Sequence, residues 1–411
     1  MSANYRRLLL ALLITAGILN YADRQIIAVL KPLLQEQLHW SDSDYGDLTA
    51  VFQFASAFAL LGVGWIVDRV GWRRANPLAV GVWSLAAMLH AITRTLGQFT
   101  LARIALGATE AFGTPTGIKT VAVFFAARER SVALGLMNAS GNVGAIITPL
   151  FIPALALSLG WQGAFLITGG CGLIWVAAWM LFARGSAPTL AADPGRPVLS
   201  DSGQAVSWRR VLTDRRTWAI AGGKVFSDPV WWFLLFWAPD FFHRVFHLDM
   251  QGFAVPLALI YSAAALGSLA GGFVSGRLVA RGVAVAKARK ITMLVCALLV
   301  VPVPLALAVD NYWFAVAILG LTLAAHQGFS VNLFALTTDV TPSARVATTI
   351  SIAALFGNLA GMGVLRLAGK VIGNGTGYGL LFGMAAVAYL LALTWIHYVM
   401  PKGAAREAPT D

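Results

Sequence analysis

Asn20-Tyr21-Ala22-Asp23-Arg24 places a carboxylate beside a guanidinium inside a run that is otherwise apolar from Leu8 to Leu34. Such a run is long enough for a membrane crossing, which takes about 20 apolar residues. One charge at the bilayer midplane costs about 2.5–3.5 kcal/mol even on the most lenient insertion scale, so a charged pair there marks function unless it lies at a helix end and snorkels to water. From this stretch alone both readings stand.

Composition fixes the class. The 411 residues are 58% hydrophobic and only 12% charged, with mean hydropathy +0.73, a make-up that excludes an ordinary soluble domain and implies a polytopic membrane protein. The two cysteines, Cys171 and Cys296, sit in apolar runs, so no disulfide framework is expected. The six histidines show no metal-ligand spacing, and no cofactor is expected. Arg6-Arg7 followed by Leu8 to Leu19 resembles the start of a signal peptide. No small-residue cleavage box follows, so these residues are read as a retained first span.

Twelve spans follow at about 20 apolar residues each, near 8–34, 45–67, 75–95, 99–126, 131–155, 162–183, 216–243, 251–276, 291–308, 312–338, 344–370 and 376–400. Arg184 to Arg216 is rich in Pro, Asp, Ser and Arg, as an interdomain linker is. The expected domains are therefore a six-helix bundle at 1–183, a cytoplasmic linker at 184–215 and a second six-helix bundle at 216–411. The expected fold class is an all-α membrane protein with two pseudo-symmetric bundles. Of the 30 Lys and Arg residues, 21 fall on the side of the chain termini and central linker, so the positive-inside rule places both termini in the cytoplasm. The net charge of +12 thus means topology and contact with anionic lipid, with no nucleic-acid partner.

Gly64-x-x-x-Asp68-Arg69-x-Gly71-x-Arg73-Arg74, after span two, is echoed by Gly272-x-x-x-Gly276-Arg277 after span eight. Related halves are the expected build of a secondary transporter whose site lies between them near midplane. The first copy resembles the loop signature of the major facilitator superfamily. Asp68, Arg69, Arg73 and Arg277 are the candidate gating charges of a latch that breaks and re-forms as access alternates. In the second copy Gly276 replaces the aspartate, which predicts a weaker latch there.

Span four carries Arg103 and Glu110, seven residues apart and so on one helical face. A carboxylate there suits proton loading, and a static ion pair that fixes packing is the other reading. Lys224 and Asp228, four apart in span seven, either neutralise each other or free Lys224 for a polar cavity. In the second case Pro229 breaks the helix, and Trp231 and Trp232 offer a face to a sugar ring. Gln53, Ser56, Asn138, Asn142, His326, Gln327, Asn332 and Asn358 are further polar groups inside spans. Each is either interhelical glue or a hydrogen-bonding group for a hydroxyl-rich substrate.

Taken together, Asn20 to Arg24, the Arg103 to Glu110 spacing, Phe124-Phe125-Ala126-Ala127-Arg128-Glu129-Arg130-Ser131 and Asp228-Pro229-Val230-Trp231-Trp232-Phe233 resemble the anion:cation symporter family of the major facilitator superfamily. The likeness runs from span one to span twelve and is nearest to its bacterial hexuronate transporters, on Lys224 and His326-Gln327. The resemblance implies that Arg24 holds the substrate carboxylate, Asp23 pairs with Arg103, Glu110 is a second protonatable group and Tyr21 lines the substrate. Ser56 departs from the galactonate relatives, which carry a binding tyrosine there. The function expected is proton-coupled symport of a hexuronate such as glucuronate or galacturonate across a bacterial inner membrane. Galactonate, glucarate or another organic anion is the alternative cargo. A co-transported proton, a small sugar-acid anion and the lipid bilayer are the expected partners of a functional monomer. An enzyme is not expected, since no nucleophile elbow or phosphate-cradling loop stands in a fitting context.

Overall fold

The computed structural model describes residues 3–125, 127–183, 208–375 and 377–401. In chain order the helices are α1 (Ala3–Val29), α2 (Lys31–Leu38), α3 (Asp42–Val70), α4 (Trp72–Leu89), α5 (Leu96–Glu110), α6 (Gly113–Phe124) and α7 (Ala127–Phe182). They continue as α8 (Trp208–Thr213), α9 (Arg215–Phe246), α10 (Ala254–Ala280), α11 (Val285–Val300), α12 (Tyr312–Val340), α13 (Ser343–Gly373) and α14 (Gly379–Val399). No strand occurs among the described residues. Residues 184–207 of the expected 184–215 linker lie outside them, and its remainder carries α8.

Helix starts follow local chemistry. Thr95, Asp214 and Asn311 cap α5, α9 and α12, their side chains accepting from Gln98 N, Arg216 N and Trp313 N at 3.3, 2.9 and 2.9 Å. Such caps satisfy amides that a helix start leaves without partners.

Nine segments among the described residues are long and apolar enough to cross a membrane. One of them, Val132–Phe182, is twice a span's length and is interrupted at Gly160, whose φ of 73° suits glycine because a side chain would meet the following carbonyl. Two expected spans fall short by this measure. The α5–α6 pair is split into pieces of 15 and 12 residues, and α9 carries Lys224, Asp228 and Asp240. Pro115 explains the first. Lacking an N–H, it cannot continue the α5 ladder, and it sits instead in the first turn of α6, where none is needed. All twelve expected spans are thus accounted for by helices. Large apolar side chains such as Ile174 and Leu269, 71% and 72% exposed, lie on faces suited to lipid.

Contacts divide the chain into two compact units. The first holds Met1–Leu34 and Phe54–Ala205, the second Gln35–Gln53 and Val206–Asp411. Helix α3 therefore begins in the second unit and ends in the first. In the first unit α1 packs on α7 near Met137 to Gly144, and α4 packs on α7 near Gly169 and Gly172. In the second, α9 packs on α13 and α14, while α12 packs on α10 and α11. The opening segment of α3 is built into the second unit. Gly46 touches Gly369, the Tyr45 hydroxyl donates to the Phe236 carbonyl at 2.7 Å, and Asp47 pairs with Arg366 at 2.9 Å.

Candidate functional site

In the first unit α1 and the broken α5–α6 pair bring four charges together. Arg24 Nε donates to Glu110 Oε2 at 3.0 Å, and a second guanidinium nitrogen donates to Asn20 Oδ1 at 3.2 Å. Asn20 in turn donates to the Glu110 carbonyl at 3.4 Å, at the last residue of α5 where the helix stops. The break therefore aims both Glu110 oxygens that matter here, one side-chain and one backbone, at α1. Asp23, Arg103 and Glu110 are all buried, while Arg24 keeps 13% of its side chain accessible. Asp23 and Arg24 are thus mid-chain members of a buried charge cluster, and the helix-end reading of this pair fails. Tyr21 lies against Gly141 and Gly144 of α7, and its ring centroid is 5.0 Å from the Arg24 guanidinium, within cation–π range.

In the second unit the charges sit on α9. Lys224 Nζ and Asp228 Oδ1 are 2.8 Å apart, so in this state the two neutralise each other. Lys224 also lies 4.7 Å from the Phe334 ring centroid. Gly357 of α13 makes room for the pair, since a Cβ there would fall 2.4 Å from Asp228 Oδ2. The glycine-rich stretch of α13 is therefore a seat for α9 side chains, with Gly361 facing Trp232 in the same way.

Pro229 does not break α9, which runs without interruption from Arg215 to Phe246. A membrane helix tolerates proline where neighbouring helices support the freed backbone, as α13 and α14 do here. Trp231 stacks on the His326 ring at 5.2 Å and 18°, so one of its faces is taken by protein. Trp232 stacks on Phe236 at 6.3 Å and 26°.

The remaining polar candidates divide. Asn332 is buried, and its amide donates to the Gly271 and Gly328 carbonyls at 3.0 and 2.8 Å, which is interhelical glue between α12 and α10. Ser56 donates to the Gly107 carbonyl at 2.7 Å. Gln53 is buried, Asn142, Gln327 and Asn358 are half-buried, and Asn138 is exposed. Of the gating set, Arg69 and Arg277 occupy matching positions in the last turns of α3 and α10. Each covers an aromatic ring four residues earlier, Trp65 at 4.0 Å and Phe273 at 4.3 Å. This is the sequence echo made structural. The Arg73 carbonyl accepts from Trp179 at 3.2 Å, and the Asp68 side chain is outside the described groups.

Sequence reading missed three features. His90, fully buried, has Nδ1 at 2.9 and 3.0 Å from the carbonyls of Ala86 and Ala87 and stacks on Phe165. Tyr389 lies 2.7 Å from His326 Nδ1. Arg244 bridges Asp42 at 2.5 Å and Asp240 at 3.0 Å, while Tyr378 donates to Asp240. The i,i+4 spacing of Asp240 and Arg244 was a usable signal for this network. The partner from α3 was not.

Membrane-length helices with charges buried among them define a polytopic membrane protein. The chain belongs to the Major Facilitator Superfamily, whose sequence profile matches residues 13–365, and so to a family of transporters and not of enzymes. It is 30% identical over 291 residues to the "Probable L-galactonate transporter" of Escherichia coli (strain K12), covering 69% of this chain and 64% of that protein, less than two thirds of its length. It is 27% identical over 415 residues to the "Hexuronate transporter" of the same strain, covering 98% and 96%. Its fold matches a bacterial homologue of the human lysosomal transporter Spinster with TM-score 0.75 at 21% identity, covering 97% of this chain and 94% of that one.

Proposed function

We propose that this chain is a proton-coupled symporter that carries a hexuronate such as glucuronate or galacturonate into the cell across a bacterial inner membrane, with both termini cytoplasmic. The observation that carries the reading is the Arg24–Glu110 ion pair, a cation held ready by a carboxylate that a proton can neutralise. Full-length similarity to a hexuronate transporter supports the cargo. Similarity to the L-galactonate protein favours an aldonate as the second reading.

The physical logic is exchange of partners. With Glu110 ionised, Arg24 is satisfied internally. Protonation of Glu110 or Asp23 releases Arg24 to bind the uronate carboxylate by a charge-assisted hydrogen bond. Lys224 is the second cation able to take a carboxylate, once it leaves Asp228. Tyr21, Trp231, Trp232, His326, Gln327, Asn138, Asn142, Asn358, Gln53, Ser56 and Asn332 remain the proposed substrate-lining set. Within it, Ser56 and Asn332 already donate to backbone.

An anion entering an inside-negative cell works against about 2.3 kcal/mol per 100 mV, and one co-transported proton removes that penalty. The cycle requires two bundles, 1–183 and 216–411, joined by the 184–215 linker, in a monomer whose cytoplasmic charges Asp68, Arg69, Arg73 and Arg277 gate access. Labelled glucuronate uptake into proteoliposomes, with and without an inward proton gradient and with galactonate, glucarate and lactate as competitors, tests cargo and coupling together. Gradient-independent uptake would remove the proton, and stronger competition by galactonate would replace the cargo.

A further inference from the structure

The second unit holds a hydrogen-bonded pair, His326 and Tyr389, of which the carrier cycle above leaves Tyr389 without a role. Tyr389 of α14 is fully buried, and its hydroxyl stands 2.7 Å from Nδ1 of His326 on α12 and 3.4 Å from the Ser227 carbonyl on α9. Three helices thus meet at one phenol oxygen. Both rings are fixed in plane. Phe329 meets Tyr389 edge-on at 5.2 Å and 75°, and Trp231 stacks on His326 at 5.2 Å and 18°.

A tyrosine hydroxyl has one proton to donate, and the two acceptors compete for it. Donation to Nδ1 puts the proton of a neutral imidazole on Nε2. Donation to Ser227 requires the reverse, with Nδ1–H donating to the phenol oxygen and Nε2 left as a bare acceptor. The 2.7 Å contact is made in either form, so the two differ only in whether the phenol proton goes to Nδ1 or to the long Ser227 contact. The 2.7 Å contact is that of a good hydrogen bond, whereas 3.4 Å lies beyond the normal range of about 2.5–3.0 Å for O–H···O. His326 keeps 4% of its surface accessible, and Nε2 is the ring nitrogen on the edge away from Tyr389.

We propose that Tyr389 is a positioning residue that locks His326 in its Nε2–H form, so that His326 offers a hydrogen-bond donor to an oxygen of the carried anion. The identity of that anion rests on the sugar-acid reading, and the lock itself does not. A donor at this position selects for oxygens with free lone pairs, as hydroxyl and carboxylate groups have, and repels the ammonium group of an amino sugar. The stacked Trp231 holds the plane of the His326 ring and the Tyr389 contact holds its Nδ1 edge, so together they convert the choice of tautomer into a choice of direction.

Imidazole nitrogen correlation spectra of 15N-histidine-labelled full-length protein in nanodiscs, at about pH 8 where a free imidazole is neutral, read the tautomer directly. His326→Gln identifies the signal. The expected wild-type pattern is a protonated Nε2 and an unprotonated Nδ1. Tyr389→Phe should mix the two tautomers and raise the KM for glucuronate in proportion to the Nε2–H fraction lost, about twofold for an even mixture, while kcat is unchanged. Wild-type protein with the proton on Nδ1 overturns the lock, and this reading needs no variant to fold. Unchanged tautomer and KM in Tyr389→Phe overturn it too. If glucuronate is carried but leaves the His326 signals unmoved, the donor contact to the anion is overturned; if glucuronate is not carried at all, the uronate reading falls and the tautomer spectrum alone still tests the lock.

Discussion

Arg24 and Glu110, 86 residues apart in sequence, are joined by a 3.0 Å hydrogen bond at the junction of α5 and α6. Glu110 ends one helix, and Gly113 begins the next. The carboxylate is therefore presented from a helix terminus and not from the middle of a rigid span.

Glu110→Gln keeps the shape and removes the charge that a proton would cancel. Accumulation of uronate driven by a pH gradient should vanish, while exchange of labelled for unlabelled substrate continues at near wild-type rate. Accumulation that persists would show that coupling resides elsewhere.

Arg24→Ala takes away the proposed carboxylate hook and leaves Glu110 buried without its cation. Affinity should fall by ten- to a hundredfold or more, since hydrogen bonds to charged groups contribute about 1.5–3 kcal/mol. Titration calorimetry on detergent-solubilised protein measures this, and near-normal affinity refutes the hook.

Lys224→Met strands the Asp228 carboxylate in a site where both side chains are nearly buried, at 10% and 13% exposure. Breaking one side of a buried ion pair costs about 3–5 kcal/mol. The apparent melting temperature should drop, and adding Asp228→Asn should restore most of it. A single variant as stable as wild type would mean the pair is hydrated in the working state.

Gly357→Ala drives a methyl group into the seat of Asp228. Overpacking of this kind costs about 1–3 kcal/mol. The Lys224–Asp228 contact should loosen, so uptake falls more than expression does. Gly363→Ala, on the same helix with open space around it, is the control and should leave both unchanged.

Arg244→Ala leaves Asp240 and Asp42 without their shared cation. The expected loss is about 1–3 kcal/mol, tempered because the Arg244 side chain is 38% exposed and screened by water. Tyr378→Phe should cost less, because Arg244 still faces Asp240. Equal losses would assign the stability to Tyr378.

The helical spans were legible because about 20 apolar residues can do little else in a membrane, and the charges Asp23, Arg24, Arg103 and Glu110 stood out against that background. Spacing within one helix was also readable, so the Lys224–Asp228 contact could be stated as one of two alternatives. What sequence could not supply was the partner across helices. Nothing local to Tyr389 distinguishes it from a lipid-anchoring tyrosine, and nothing in Asn332 tells an amide that braces two backbones from one that meets a sugar. Pro229 misled for the opposite reason. Its local effect is real, but the packing of α13 and α14 on α9 outweighs it.

The opening turns of α3 pose a problem of timing. Tyr45 leaves the ribosome 191 residues ahead of the Phe236 carbonyl that its hydroxyl will find, and Asp42 leaves 202 ahead of Arg244. During that interval an acidic, partly apolar segment has no seat, and the second half of the chain, made on its own, would have a groove at Gly369 with nothing to fill it. The two halves are therefore unequal as folding units. The opening turns of α3 meet their partners only once α9 and α13 are made, so the order of synthesis sets when this contact can form.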